Sequence, residues 1–248
     1  MQIDLLTLFP EFFETPLKQS MLQRAQNQGA VRFRVLNLRD FTHDRHRVVD
    51  DRPFGGGPGM VLKIEPLAEA VRAAREEDPG VRVVLLTPQG PWFSQEKARE
   101  LAGAEHLLLI CGHYEGVDER LRFYIDEEVS IGDYILTGGE VPALVVVDAV
   151  VRLLPGVLGG EGATEEESFQ TGLLEYPQYT RPRVFEGREA PPELLSGDHQ
   201  AVARWRRREA LRRTLKWRPD LIEKAVLSLE DLRFLASLEE TEKSDEIA

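Results

Sequence analysis

Hydrophobic positions along the chain follow two rhythms. Compact apolar runs stand at 2–9 (QIDLLTLF), 83–90 (VVLLTPQG) and 107–116 (LLLICGHYEG), and the last two run into turns rich in glycine. Runs this short and this apolar read as buried strands. VRFRVLNL at 31–38 alternates apolar and basic residues, as a half-exposed strand does. Between the runs the spacing is helical. Pro10 opens a stretch in which Phe13, Leu17 and Met21 recur at i+4 and which Gly29 stops. A second helix is expected from Glu65 to Glu77, ended by Asp78-Pro79-Gly80, and a third in SQEKARELAG with Ser94 as N-cap. VDERLRFYI reads as a short helix or turn and EEVSIGDYIL as a strand end. EVPALVVVDAVVRLL is a helix by length, with Pro142 tolerable in its first turn. Strands alternating with helices, with continuously apolar middle strands, predict an α/β fold: a mostly parallel sheet with helices on both faces.

After Pro155 the pattern changes. GVLGGEGATEEESFQTG is rich in Gly and Glu and reads as a flexible acidic linker. The following segment is proline-punctuated and extended, and from about Asp198 the pattern is helical. The expected division is an α/β cofactor-binding domain over 1–160, a linker over 161–172 and a small helical C-terminal domain over 173–248.

Composition narrows the class. The chain has 248 residues, a formal charge of −12 and one cysteine. A lone Cys111 allows no intrachain disulfide and fits a reducing cytoplasm; in an apolar strand it reads as an inert core thiol. The N-terminus lacks the basic flank of a secretory signal, and VPALVVVDAVVRLL is too short and too interrupted by charge to span a membrane. The acidic total argues against a nucleic-acid partner until its distribution is considered. RWRRREALRRTLKWR at 204–218 holds eight Lys or Arg and one Glu. A solvated helix with snorkelling arginines is the plain reading; such clustering in an acidic chain favours a polyanion contact.

The candidate chemistry centres on SIGDYILTGGEVP at 130–142 and the two turns before it. In a parallel sheet ligands sit beyond the carboxyl ends of the strands. Glycines at 90, 112, 116, 132, 138 and 139 would let backbone approach a ligand closely. One such turn is ordinary; three together predict a single pocket, poor in catalytic side chains and suited to a cofactor. Neither a dinucleotide fingerprint after the first strand nor a Walker A sequence is present, and GGGPGM at 55–60 lacks the lysine of a phosphate cradle. HDRH at 43–46 has no second cluster to complete a metal site. The surrounding 39–60 is polar and aperiodic, long for a structureless connection, and such loops are commonly functional.

LFPEFF, RDFTHDRHRVVDDRPFGGGPGM, LTPQG, CGHYEGVDER, SIGDYILTGGE, PGVLG, ESF and YTRP occur in this order. Together they resemble the bacterial tRNA (guanine-N1)-methyltransferases of the SPOUT class, over nearly the whole chain. The resemblance implies a deep trefoil knot late in the α/β domain, use of S-adenosylmethionine, a magnesium requirement and methylation of guanine N1 at tRNA position 37. It also implies a homodimer with active sites shared between subunits. By motif, Pro88 falls in the first cofactor loop and Gly112, Tyr114 and Glu115 in the second. Ile131, Gly132, Asp133, Tyr134, Ile135, Leu136, Gly138 and Gly139 fall in the third. Arg152 matches the family's catalytic arginine. The family's general base is an aspartate before a Ser-Phe pair; here Glu167 holds that place, beside Glu165 and Glu166, and Glu175 replaces a second family aspartate. Gly59, Arg204, Arg206, Arg207 and Arg208 are the candidate RNA contacts. Two other readings bear on the same residues. A non-catalytic RNA binder would need the basic helix but not Arg152 and a linker carboxylate. A ribose methyltransferase would need no base for guanine N1.

Overall fold

A computed structural model describes residues 1–159, 167–170 and 172–245. The chain divides into two compact units, Met1–Gly159 and Gly160–Ala248.

The first unit is built on β1 (Gln2–Thr7), β2 (Arg32–Asn37), β5 (Arg82–Leu86), β6 (His106–Cys111) and β7 (Glu127–Val129), all parallel, in the order β2-β1-β6-β5-β7. Side-chain alternation explains why the middle strands are apolar throughout. Leu107, Leu109 and Cys111 of β6 point into one core, and Leu108 and Ile110 into the other. Val84 and Leu86 of β5 join the first, Val83 and Leu85 the second. Both faces are therefore covered. On the first lie α2 (Ser20–Asn27), α4 (Gln95–Ala102) and α5 (Glu140–Val151), through Leu22, Ala25, Leu101, Ala143, Val146, Val147 and Val150. On the second lies α3 (Ile64–Glu77), through Leu67, Ala70, Val71 and Ala74. Ser94 caps α4 as its position requires, accepting from Lys97 N at 3.2 Å.

A buried charge network ties three strands together at their amino halves. Asp4 of β1 is fully buried. It accepts from Arg34 Nε of β2 at 3.0 Å and lies 3.0 Å from His106 Nε2 of β6. The bond to Asp4 raises the Arg34 pKa above its ordinary value. A buried carboxylate is tolerable only with such partners.

Two expectations need correction. The helix expected after Pro10 is broken: α1 (Glu11–Glu14) gives way to a 3₁₀ turn at Pro16–Lys18, and α2 restarts after an extended Gln19. Pro16 has no amide hydrogen to continue the ladder. The Gln26 side chain donates instead to Leu17 O at 2.6 Å. Phe13 and Leu17 are nevertheless buried, so the apolar spacing marked the core face correctly. The 39–60 segment is not wholly aperiodic: β3 (Asp50–Asp51) pairs antiparallel with β4 (Val61–Leu62), and Val49 is buried beside them.

In the second unit, a short hairpin of β8 (Val184–Phe185) and β9 (Arg188–Glu189) interrupts the extended stretch before α6 (Pro192–Leu195). α7 (His199–Trp217) is capped by Asp198, which accepts from Gln200 N and Ala201 N. α8 (Pro219–Ile222) and α9 (Leu229–Asp245) follow. A small core of Leu173, Ala210, Leu211 and Leu235 holds this unit. α7 is thus not charged all round: Ala210, Leu211 and Thr214 form a buried seam. Among the described residues no helix is long and apolar enough to cross a membrane.

Candidate cofactor pocket

The turns that follow β5, β6 and β7 meet at the carboxyl edge of the sheet and enclose a cavity of about 500 Å³. Pockets for small molecules commonly fall in this size range. Backbone bonds hold the turns against one another. Ser130 N donates to Pro91 O at 2.9 Å and Phe93 N to Ser130 O at 2.7 Å, joining the first turn to the third. Gly139 N donates to Gly112 O at 2.8 Å, and His113 bridges Gly138, joining the second to the third.

Pro88, Gly112, Tyr114, Glu115, Ile131, Gly132, Tyr134, Ile135, Leu136, Gly138 and Gly139 all line this cavity. Asp133 does not; its carboxylate accepts from the indole N–H of Trp92 at 2.9 Å, a link between the first and third turns. Gly139 is required by close approach. A Cβ there would lie 2.5 Å from Cys111 Cα and 2.8 Å from Gly112 N. Tyr114 holds a left-handed φ of 61°, rare for an aromatic residue, inside the turn closed by Gly116 N to His113 O at 3.1 Å. Arg122, Glu119 and Glu128 also line the cavity, with Arg122 Nε 3.0 Å from Glu128. None of them was singled out from the sequence: Glu119 falls near the end of CGHYEGVDER, and Arg122 and Glu128 in stretches without glycine or clear periodicity. The Cys111 thiol beneath is buried, which with the nearby Glu140 carboxylate pushes its pKa well above the ordinary value. That suits an inert core thiol.

Gly59 belongs beside the second turn. Glu115 N donates to Met60 O at 3.0 Å and Leu62 N to Gly116 O at 2.9 Å, which lays the 59–62 segment along 115–118. A side chain at Gly59 would collide with the Glu115 carboxylate.

Arg152 closes α5 as its C-cap, half-buried, its own N–H bonded to Asp148 O at 3.2 Å. Glu167 lies in the second unit and opens a turn closed by Gln170 N to Glu167 O at 3.1 Å. Glu175 N donates to Ser168 Oγ in the same turn. Glu165 and Glu166 lie outside the described residues.

The basic helix α7 is less uniform than its sequence. Arg207 is clamped by Asp231 at 2.9 and 3.1 Å, which lowers the Asp231 pKa. Arg206 stacks over Tyr176 at 4.7 Å and Arg208 over Phe234 at 5.4 Å. Arg204 is exposed. These arginines therefore differ: Arg207 helps hold its own unit together, whereas Arg204 faces solvent. In the 43–46 run, His43 pairs with Glu69 at 2.8 Å and the Asp44 carboxylate accepts from His46 N and Val48 N. Among the described residues no group of three or more His, Cys, Asp or Glu could hold a metal ion.

A parallel sheet covered on both faces, with a glycine-walled cavity at its carboxyl edge, is an α/β arrangement in which ligands bind beyond the strand ends. The chain belongs to the family described as tRNA (Guanine-1)-methyltransferase TrmD, whose model matches residues 1–224. Curated relatives agree over nearly their full lengths. A protein of Dictyoglomus turgidum named tRNA (guanine-N(1)-)-methyltransferase is 57% identical over 96% of this chain and 96% of its own length. Proteins of the same name from Geobacter metallireducens (53%; 97% and 98%) and Heliobacterium modesticaldum (57%; 95% and 90%) are similar to it as well.

Proposed function

We propose that this protein transfers a methyl group from S-adenosylmethionine to N1 of guanine at tRNA position 37, next to the anticodon. The observation that carries the reading is the one cavity shared by three glycine-rich turns at the carboxyl edge of the sheet, in a chain of this family. The fit to the cofactor is chemical. The walls combine backbone and glycine with apolar and aromatic side chains (Leu86, Ile131, Tyr114, Tyr134), as an adenine and a short aliphatic chain need. When bound, S-adenosylmethionine supplies a methyl group already activated on a sulfonium.

What the chain adds is acid–base and electrostatic chemistry. Guanine N1 carries a proton at neutral pH and is not nucleophilic until it leaves. In this reading the Glu167 carboxylate accepts that proton as the N1–methyl bond forms. The Arg152 guanidinium donates to guanine O6 and offsets the charge that builds there. The guanine is splayed from its neighbours to reach the pocket. Arg204, Arg206 and Arg208 supply phosphate contacts, with Arg207, clamped by Asp231, holding the helix that presents them, and Gly59, which lies against Glu115, is a further RNA contact.

The same reading includes a trefoil knot and a homodimer in the cytoplasm. The path after β7 supports the knot: from the sheet edge, 130–139 returns against Cys111 and Gly112 before α5 packs on β6 and β1. For the dimer, α5 leaves Val141 and Val145 exposed on one face together with Asp148, and Phe9 and Phe12 are also exposed. A second copy covering them would relieve that exposure. The metal belongs to the reading only through the family, and no step here passes through it.

The test is transfer of labelled methyl to two tRNAs that differ only in guanine or adenine at position 37. Label is expected in the guanine tRNA alone, recovered as 1-methylguanosine. Equal labelling of both would reject the assignment.

A further inference from the structure

A buried side-chain network lies directly behind the pocket and has no part in the chemistry above. Glu140, in the first turn of α5, is 4% exposed. Its Oε1 accepts from Thr7 Oγ1 at 2.6 Å, and its Oε2 lies 3.0 Å from His113 Nε2. Thr7 ends β1, and its hydroxyl in turn accepts from Phe9 N at 2.9 Å. The Phe9 ring sits 4.9 Å from the His113 ring. A buried carboxylate with acceptor capacity on both arms requires donors, and Thr7 and the His113 ring N–H are placed to provide them. His113 itself lines the cavity, one residue before the left-handed Tyr114 and bridged to Gly138 of the third turn.

We infer that Glu140 is a positioning residue: held by Thr7, it fixes His113 and with it the second and third turns, and so sets affinity for S-adenosylmethionine. The inference rests on the cofactor reading proposed above. It brings β1, which contributes no turn to the cavity wall, into control of the site. Glu140 reaches no reacting atom in this account. Its loss should loosen the cradle and leave the chemical step, carried by Arg152 and Glu167, intact once the cofactor is bound.

The test compares Thr7→Val, Thr7→Ser and Glu140→Gln in the full chain. Calorimetry with S-adenosylmethionine is followed by steady-state kinetics on the guanine-37 tRNA and thermal melting. Thr7→Val and Glu140→Gln are expected to raise the cofactor Kd and KM about tenfold, the scale of one lost hydrogen bond to a charged group. At saturating cofactor kcat should stay within about twofold of wild type. Thr7→Ser, which keeps the hydroxyl, should restore wild-type affinity. A purely structural role would lower the folded fraction, and hence kcat, with KM unchanged. That outcome, or wild-type affinity in both disrupting variants, overturns the inference. Should Thr7→Val fail to fold, Glu140→Gln decides, since it keeps the side-chain shape. Wild-type protein that binds no S-adenosylmethionine would sink the cofactor reading itself, and the inference with it.

Discussion

Replacing Glu167 by Gln lowers the single-turnover rate of methyl transfer by about 10²–10⁴, the usual contribution of a positioned base. Replacing Arg152 by Ala lowers it by about 10²–10³, the usual effect of removing one donor to a developing oxyanion. Neither change alters S-adenosylmethionine binding by more than about twofold, because neither residue is among those lining the cavity. Gln keeps the shape of Glu167 but cannot take the guanine proton. Ala at 152 removes the cation but leaves the helix, since position 152 is a C-cap bonded through its backbone to Asp148. The check is rapid-quench transfer at saturating cofactor beside calorimetric binding. A Glu167→Gln enzyme with wild-type chemistry would move the base to Glu165 or Glu166, the adjacent carboxylates. An Arg152→Ala enzyme that loses only cofactor affinity would remove Arg152 from the chemical step.

Gly139→Ala is expected to reduce S-adenosylmethionine affinity by about 10–100-fold, the equivalent of about 1–3 kcal/mol of overpacking. The added methyl would meet Cys111 Cα and Gly112 N, both backbone atoms. Cys111 ends β6, which is paired on both sides by β1 and β5, so it cannot retreat. The displacement must fall on the turns, where Gly139 N to Gly112 O is the bond that closes the cavity. Calorimetry and thermal melting together check this. An unchanged Kd with an unchanged Tm would show that the close approach is not what shapes the site.

Much of this architecture could be read from the chain because its signals are local. A continuously apolar LLLIC run demands cover on both faces, and β6 has it. Ser94 announced a helix start by its position and accepts the expected backbone N–H; the helical pattern expected from about Asp198 begins there, with Asp198 as its cap. Glycine-rich turns after three apolar runs identified the cavity, since close backbone approach needs a residue without Cβ. Relations between distant side chains were not legible. Thr7 and Glu140 are separated by 133 positions, and only the fold shows that one hydroxyl meets one carboxylate. A Glu opening a mostly apolar helix was the available trace. Asp133 looked like a pocket residue by its place in the third turn, but the Trp92 indole claims its carboxylate. The break at Pro16 was equally visible as a residue, yet the i+4 recurrence of Phe13, Leu17 and Met21 masked it. Both a continuous helix and a broken one can place Phe13 and Leu17 inside.

The most direct test of the three-turn site is backbone amide hydrogen exchange of the full chain with and without S-adenosylmethionine. Protection by the cofactor should concentrate at 87–94, 112–118 and 130–139, with the basic helix at 199–217 unchanged. Protection confined to segments outside those turns, or none at saturating cofactor, would contradict the account.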